Sequence, residues 1–145
     1  MKPGGHIVFT LTISGLLYLV FKSSAAFFAS LIGGVLIDMD HLLDYYLQEG
    51  VSAFRLKSIY LWCSEQKFKF TYLFLHSIEL IFLIWCIISL FKLGVAWIAM
   101  AVGLTQHLLL DILLNKGKIY SYSYFLSYRI SKGFKKEGLL RQTGI

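Results

Sequence analysis

Residues 93–114, LGVAWIAMAVGLTQHLLLDILL, form an apolar run interrupted by one charged residue, Asp111. A helix needs about 20 such residues to cross the hydrocarbon core of a bilayer. Similar runs occupy residues 7–21, 24–37 and 70–91. With 57% apolar residues and a single proline in 145 residues, the chain is too apolar for an ordinary soluble domain. We predict an all-α, polytopic membrane helical bundle that forms one membrane-embedded domain, residues 1–145.

The runs predict four transmembrane helices, at about residues 5–22, 24–48, 70–91 and 93–114. The second extends to residue 48 because nothing between Asp38 and Gln48 is glycine or proline. Very short connections at Lys22-Ser23 and Lys92 indicate two tight antiparallel hairpins. Residues 51–69 and 116–145 mix aromatic and basic side chains. This composition is typical of interfacial amphipathic segments that lie in the head-group layer.

The basic residues are distributed unevenly between the two sides of this bundle. Only Lys22 and Lys92 fall on one side, and the other lysines and arginines fall on the opposite side. The positive-inside rule then places both termini and the central loop of this multi-pass protein in the cytoplasm. Attraction to anionic lipid head groups explains the net charge of +6 better than nucleic-acid binding does. The sequence leaves the oligomeric state open.

All four histidines lie at the same ends of the four apolar segments. An up-down-up-down bundle gathers these ends in one layer. Ionisable groups are costly at membrane depth, so their convergence there indicates a functional site. The expected metal ligands are the four histidines and the acids beside them: His6, Asp38, Asp40, His41, His76, Glu79, His107 and Asp111.

Helical spacing supports chelation. His107 and Asp111 are four residues apart and His76 and Glu79 three apart, so each pair projects from one helix face. A regular helix would spread the acids and the histidine of residues 38–44 over about 160°. Asp38 and Asp40 could not then both bind one ion. Either the backbone bends there, or two ions lie side by side. Asp44 is expected to support the ligands.

Each histidine also has a simpler interpretation. His6 could be an ordinary interfacial residue, and His76 or His107 could form a hydrogen bond between helices. The occurrence of all four histidines at one depth favours the metal site. The nitrogen and oxygen donors suit Zn²⁺ first and Mn²⁺ or Fe²⁺ next, and they suffice for two ions. Cys63 and Cys86 form no CxxC pair, so we expect no thiolate site. The acids expected to take part in catalysis are Asp40, Glu79 and Asp111.

Residues 33–41, GGVLIDMDH, resemble the glycine-to-P-D-x-D-H stretch of the bacterial inner-membrane metal-dependent hydrolases, the YdjM-like proteins. His6, the pair His76-Ser77 and residues 103–111 are similar to that family's N-terminal histidine, its H-S pair and its G-x-x-x-H-x-x-x-D ending. The resemblance covers residues 6–111. Ile37 replaces the usual proline, and no His-Arg pair precedes His76. The family is in turn loosely similar to zinc-dependent phospholipases C.

The resemblance implies a metal-dependent hydrolase. Together with the predicted topology, it predicts attack by metal-bound hydroxide on a phosphorylated or phosphodiester lipid at the cytoplasmic leaflet. The missing arginine removes a phosphate clamp, for which Arg55, Lys67 or Lys69 could substitute. Ester or amide lipids are the alternative substrates. A structural or sensor metal protein is the non-enzymatic alternative, and transport is disfavoured because the outward halves of the helices contain few polar residues.

Overall fold

The structure is a computed structural model that describes residues 3–50, 58–59, 61–62, 67–115 and 119–140. Its helices are α1 (Pro3–Phe21), α2 (Ser24–Leu36), α3 (Met39–Glu49), α4 (Ile78–Leu90), α5 (Val95–Leu114) and α6 (Leu126–Ser131). Two 3₁₀ turns cover Ser121–Tyr124 and Lys136–Gly138. Within these described residues there is no strand beyond two isolated bridges. The all-α prediction is confirmed.

The two predicted hairpins are α1 with α2 and α4 with α5. Lys22 and Lys92 both adopt a φ of 51°, a left-handed conformation that helps to reverse the chain in very few residues. The hydroxyl of Ser23 then caps α2 by accepting a hydrogen bond of 3.3 Å from the amide of Ala26. These connections place the start of α1, which carries His6, and the start of α4, which His76 precedes, beside the end of α5 that carries Asp111.

Glycines allow the central helices to approach closely. Helix α2 packs most extensively against α5, and α1 packs against both. A Cβ atom on Gly103 of α5 would overlap the carbonyl oxygen of Ser30, and one on Gly33 of α2 would overlap the carbonyl of Met100. Because the obstacle is backbone in both cases, only glycine fits, as expected for small residues at membrane helix interfaces.

The prediction of four membrane-spanning helices is wrong. By length and composition, two helical stretches in the described part of the chain could cross a membrane, Ser24–Glu49 and Val95–Leu114. The apolar helices Gly5–Phe21 and Ile78–Leu90 are shorter. The third predicted span begins later than expected. Backbone hydrogen bonds hold residues 69–76 in a non-helical conformation. The helix begins after Ser77, whose hydroxyl caps it by accepting a hydrogen bond of 3.2 Å from the amide of Leu80.

The segments predicted to lie in the head-group layer are only partly described. In the first, Trp62 is buried against Tyr45 and donates a hydrogen bond of 3.1 Å to Glu49. The second folds back against the bundle: the amide of Lys136 donates to the carbonyl of Lys69 at 3.0 Å. Arg129, expected to attract lipid head groups, is instead 1% exposed. That expectation is corrected, because the guanidinium is occupied by backbone carbonyls of the bundle.

Candidate metal centre

Four separate elements bring the histidines and acids together. His6 lies near the start of α1, and Asp38 lies in the turn between α2 and α3. His76 belongs to the non-helical segment before α4, while His107 and Asp111 lie one turn apart on α5. The predicted layer of histidines therefore exists, although one of its members is not on a helix.

Two imidazole nitrogens and two carboxylate oxygens form the centre of this layer. His107 Nε2 lies 3.3 Å from Asp38 Oδ1 and 3.6 Å from Asp111 Oδ2. His76 Nε2 lies 3.9 Å and 3.5 Å from the same two oxygens. We call Asp38, His76, His107 and Asp111 the four-residue cluster.

The spacing within the four-residue cluster would allow a metal ion to bind, because Asp38, His76 and His107 each offer a ligand atom and these atoms lie within 4.8 Å of one another. An N–H···O hydrogen bond normally measures about 2.7–3.2 Å between heavy atoms. Ligands at about 2.0–2.1 Å from a tetrahedral Zn²⁺ lie about 3.3 Å from one another. The Nε2 atoms of His76 and His107 are buried and have no hydrogen-bond partner. Buried polar atoms without a partner are costly, and a shared cation would satisfy both.

Asp111 connects the four-residue cluster to a third histidine. Its Oδ1 lies 3.2 Å from His6 Nε2, while its Oδ2 faces His76 and His107. The His6 ring stacks on the His107 ring with 4.3 Å between centroids. Asn115, one turn further along α5, donates a hydrogen bond of 3.3 Å to the same Oδ1. The carboxylate of Asp111 can therefore bridge two neighbouring cation positions.

The tautomers of the two central histidines are set by their second nitrogens. His107 Nδ1 lies 2.7 Å from the carbonyl oxygen of Gly34, so Nδ1 must carry the proton and Nε2 has the free lone pair. His76 Nδ1 lies 3.4 Å from Asp40 Oδ2, which favours the same tautomer. Support of this kind orients imidazole ligands and raises their basicity in metal sites.

A local tightening of the helix resolves the geometric conflict between Asp38 and Asp40. The amides of Asp38, Asp40 and His41 all bond to the carbonyl three residues earlier, at 3.1–3.2 Å. This 3₁₀-like turn at Ile37–Asp38 separates α2 from α3 and changes the direction of the side chains on either side. Asp38 therefore faces His107 while Asp40 lies behind His76.

The four-residue cluster opens to its surroundings at Asp38. The Asp38 side chain is 43% exposed, whereas those of His76, His107 and Asp111 are 2%, 0% and 11% exposed. Val35, Leu36 and Met39, which lie close to Asp38 in the sequence, have exposed apolar side chains. We call these three residues the apolar rim.

The chain matches a known protein family. The family model of the YdjM inner membrane protein matches residues 1–121. The chain belongs to the YdjM inner membrane protein family. It is accordingly a membrane protein, and the matched region contains the four-residue cluster and His6. The comparisons do not support the expected hydrolase family or the more distant resemblance to zinc-dependent phospholipases C. No curated protein and no solved structure matches the chain.

Two further predicted ligands of this YdjM-family protein, His41 and Asp40, lie beside the four-residue cluster. His41 is near it, with its ring centroid 5.0 Å from that of His76. The Oδ2 atom of Asp40 accepts hydrogen bonds from the amides of Leu75 and His76, the latter at 3.1 Å. This oxygen therefore supports His76 instead of facing the cluster.

Glu79 is not brought into the four-residue cluster. Its carboxylate accepts hydrogen bonds from the amides of Leu126 and Ser127, at 2.8 and 3.0 Å, and from the hydroxyls of Ser77 and Ser127. Burial raises the pKa of Glu79, but the hydrogen bonds from Ser127 and Leu126 outweigh burial and lower the pKa to about 2. The spacing from His76 suggested a ligand, whereas the structure shows a carboxylate that holds the start of α6.

Sequence reasoning gave Asp44 a supporting role, but it missed the two supports of the His76 segment as a whole, one face of α3 and Arg129. Asp40, Asp44 and Gln48 lie four residues apart on one face of α3, and all three accept hydrogen bonds from backbone amides of residues 69–76. The repeated spacing of four was a detectable signal. The second support is Arg129, which donates to the carbonyls of this segment. Its sequence surroundings resemble any basic tail, so nothing local could have revealed this role.

Proposed function

We propose that this membrane protein is a metal-dependent hydrolase that acts at the cytoplasmic leaflet on a phosphorylated or phosphodiester lipid. The observation that carries the proposal is the pair of buried, partnerless Nε2 atoms of His76 and His107, which face the carboxylates of Asp38 and Asp111. A set of two imidazoles and two carboxylates without sulfur suits Zn²⁺, with Mn²⁺ and Fe²⁺ as alternatives.

We propose two ions for each chain. The four-residue cluster would hold the first, and His6 Nε2 with Asp111 Oδ1 would contribute to holding the second. The second position has fewer protein ligands among the described residues, so its affinity should be lower and it should be emptied first by a chelator. When bound, Zn²⁺ acts as a Lewis acid and lowers the pKa of a coordinated water to about 7.

The protein residues orient the ligands and control access. Gly34 and Asp40 fix the orientation of the two imidazoles, and Asp111 spans the two proposed cation positions. Of the three acids predicted to be catalytic, Asp111 lies in the four-residue cluster, while Asp40 and Glu79 act on neighbouring backbone. The apolar rim at Val35 and Met39 beside the exposed Asp38 favours a substrate that enters laterally from the lipid phase.

The function can be tested with the full-length protein in detergent. Elemental analysis should find about two zinc ions for each chain. Incubation with mixed phospholipid vesicles should release phosphate or a phosphorylated head group, and chelation should abolish the release until Zn²⁺ or Mn²⁺ is restored. A fatty acid or amine product would move the substrate to ester or amide lipids. Full metal content with no turnover across the lipid panel would favour a structural or sensor site, and absence of metal would refute the proposal.

We further propose that both termini lie in the cytoplasm. The contacts among His6, His76 and Asp111 put the start of α1, the start of α4 and the end of α5 at one end of the bundle. Among the described residues, Lys22 and Lys92 lie at the opposite end, and the other lysines and arginines belong to segments at the histidine end: Lys67, Lys69, Arg129, Lys132, Lys135 and Lys136. The positive-inside rule then assigns the histidine end to the cytoplasm.

Reporter fusions at residue 145 provide the test of orientation. A reporter that is active only in the cytoplasm should give a signal, and one that is active only outside should give none. A fusion after Lys22 tests in addition whether the shorter helix α1 crosses the membrane, because the fusion should behave in the opposite way only if α1 does so. If the reporter at residue 145 is active only on the outer side, the metal centre faces outward and the proposed cytoplasmic substrate is wrong.

A further inference from the structure

Among the ligands of the proposed centre, His76 lies in a non-helical segment that precedes α4. Its neighbours in the four-residue cluster lie on α5 or in the turn that joins α2 to α3. Residues 69–76 precede α4 and contain Leu73, a non-glycine residue with a φ of 38°. Such a conformation persists only where surrounding contacts impose it. The position of the His76 imidazole therefore depends on what holds this segment.

The amide side of the segment is held by α3. Asp44 accepts hydrogen bonds from the amides of Tyr72 and Leu73, at 3.0 and 3.3 Å. Asp40 accepts from the amide of His76 at 3.1 Å. These bonds use N–H groups only, so they leave the carbonyl oxygens of the same residues to be satisfied by another partner.

The carbonyl side is held by Arg129 of α6. Its Nη1 donates to the carbonyls of Tyr72 and Leu73 at 2.9 and 2.6 Å, and its Nη2 donates to the carbonyl of His76 at 3.1 Å. The rigid fork of a guanidinium suits several simultaneous hydrogen bonds of this kind. A single side chain thereby fixes both the turn at Leu73 and the backbone of the metal ligand.

A reciprocal contact fixes α6 itself. Glu79, three residues after His76, accepts hydrogen bonds from the amides of Leu126 and Ser127 at the start of α6. The segment therefore holds α6 through Glu79, and α6 holds the segment through Arg129. Each of the two contacts limits how far the His76 segment can move relative to α6. Together they are suited to keep His76 in one position.

We propose that Arg129 is a positioning residue for the metal ligand His76. This inference rests on the metal centre proposed above. Arg129 acts through the backbone of residues 72–76 and does not touch the ion. Its charge is buried and interacts with Asp40, Asp44 and Glu79, so the segment is held between carboxylates on its amide side and the guanidinium on its carbonyl side.

The test is a Co²⁺ titration of the full-length protein in uncharged detergent, followed by the visible absorption of the bound ion. Arg129→Ala should weaken Co²⁺ binding by about 10–100-fold, the usual effect of removing a residue that orients a ligand, and should change the absorption bands. Arg129→Lys should recover part of the affinity because it keeps donors to the carbonyls. Lys135→Ala removes an exposed charge six residues after Arg129, and its Co²⁺ affinity and absorption bands should match those of the wild-type protein.

Two results would overturn the inference. One is an Arg129→Ala protein with wild-type affinity and an unchanged spectrum, and the other is an equal loss in Lys135→Ala, which would point to charge alone. If Arg129→Ala does not fold, Arg129→Lys and Arg129→Gln decide the question by the same comparison. Failure of the proposed metal centre is distinguishable, because the wild-type protein itself would then bind neither Co²⁺ nor Zn²⁺.

Discussion

Asp111→Asn is expected to remove nearly all metal binding, with affinity for Zn²⁺ reduced at least about 100-fold. The substitution keeps the size of the side chain but replaces a carboxylate that approaches His6 through one oxygen and His76 and His107 through the other. One change therefore affects both proposed ion positions. His6→Ala should have a smaller effect, because it touches only the position with fewer protein ligands.

Zinc content and the affinity for Co²⁺ are the quantities to measure for these variants. Glu137→Gln is the matched control, since it also replaces one carboxylate by an amide but at an exposed position far along the chain from the centre. It should retain the full zinc content. If the Asp111→Asn protein is folded and still carries as much zinc as the control, the assignment of Asp111 as a bridging ligand is wrong.

Gly103→Ala is expected to destabilise the folded protein by about 3 kcal/mol. The added methyl group would overlap the carbonyl oxygen of Ser30 and lie 3.0 Å from the amide nitrogen of Gly34. Both atoms belong to the backbone of α2, so the two helices would have to move apart. The same movement would disturb the hydrogen bond between His107 and Gly34, and metal affinity should fall together with stability.

Gly15→Ala is the matched control, because it makes the same change in α1 where nothing lies within 4 Å of the new Cβ. Alanine is the better helix former, so this variant should be as stable as the wild type or more stable by about 0.5–1 kcal/mol. Thermal unfolding of both variants in the same detergent gives the comparison. Equal midpoints would show that α2 and α5 do not approach as closely as the structure indicates.

The helices, the hairpins and the end of the bundle at which the site forms could be predicted from the amino-acid sequence. These features follow from local properties: the length of apolar runs, the spacing of polar residues on a helix, and the brevity of the connections at Lys22 and Lys92. The pairing of His107 with Asp111 is of this kind. The number of spans was not predicted correctly, because residues 69–76 are apolar enough for a helix but are held in a non-helical conformation by hydrogen bonds to α3 and Arg129.

The role of each polar side chain in the site depends on tertiary contacts and could not be predicted from the sequence. Helical spacing made Glu79 as good a ligand as Asp111, yet Glu79 binds backbone amides of α6. The composition of residues 116–145 predicted that Arg129 is a surface charge, yet it is buried against the carbonyls of the His76 segment. In each case the deciding partner is about 50 residues away in the chain. Such contacts depend on how packed helices orient one another, which no local pattern specifies.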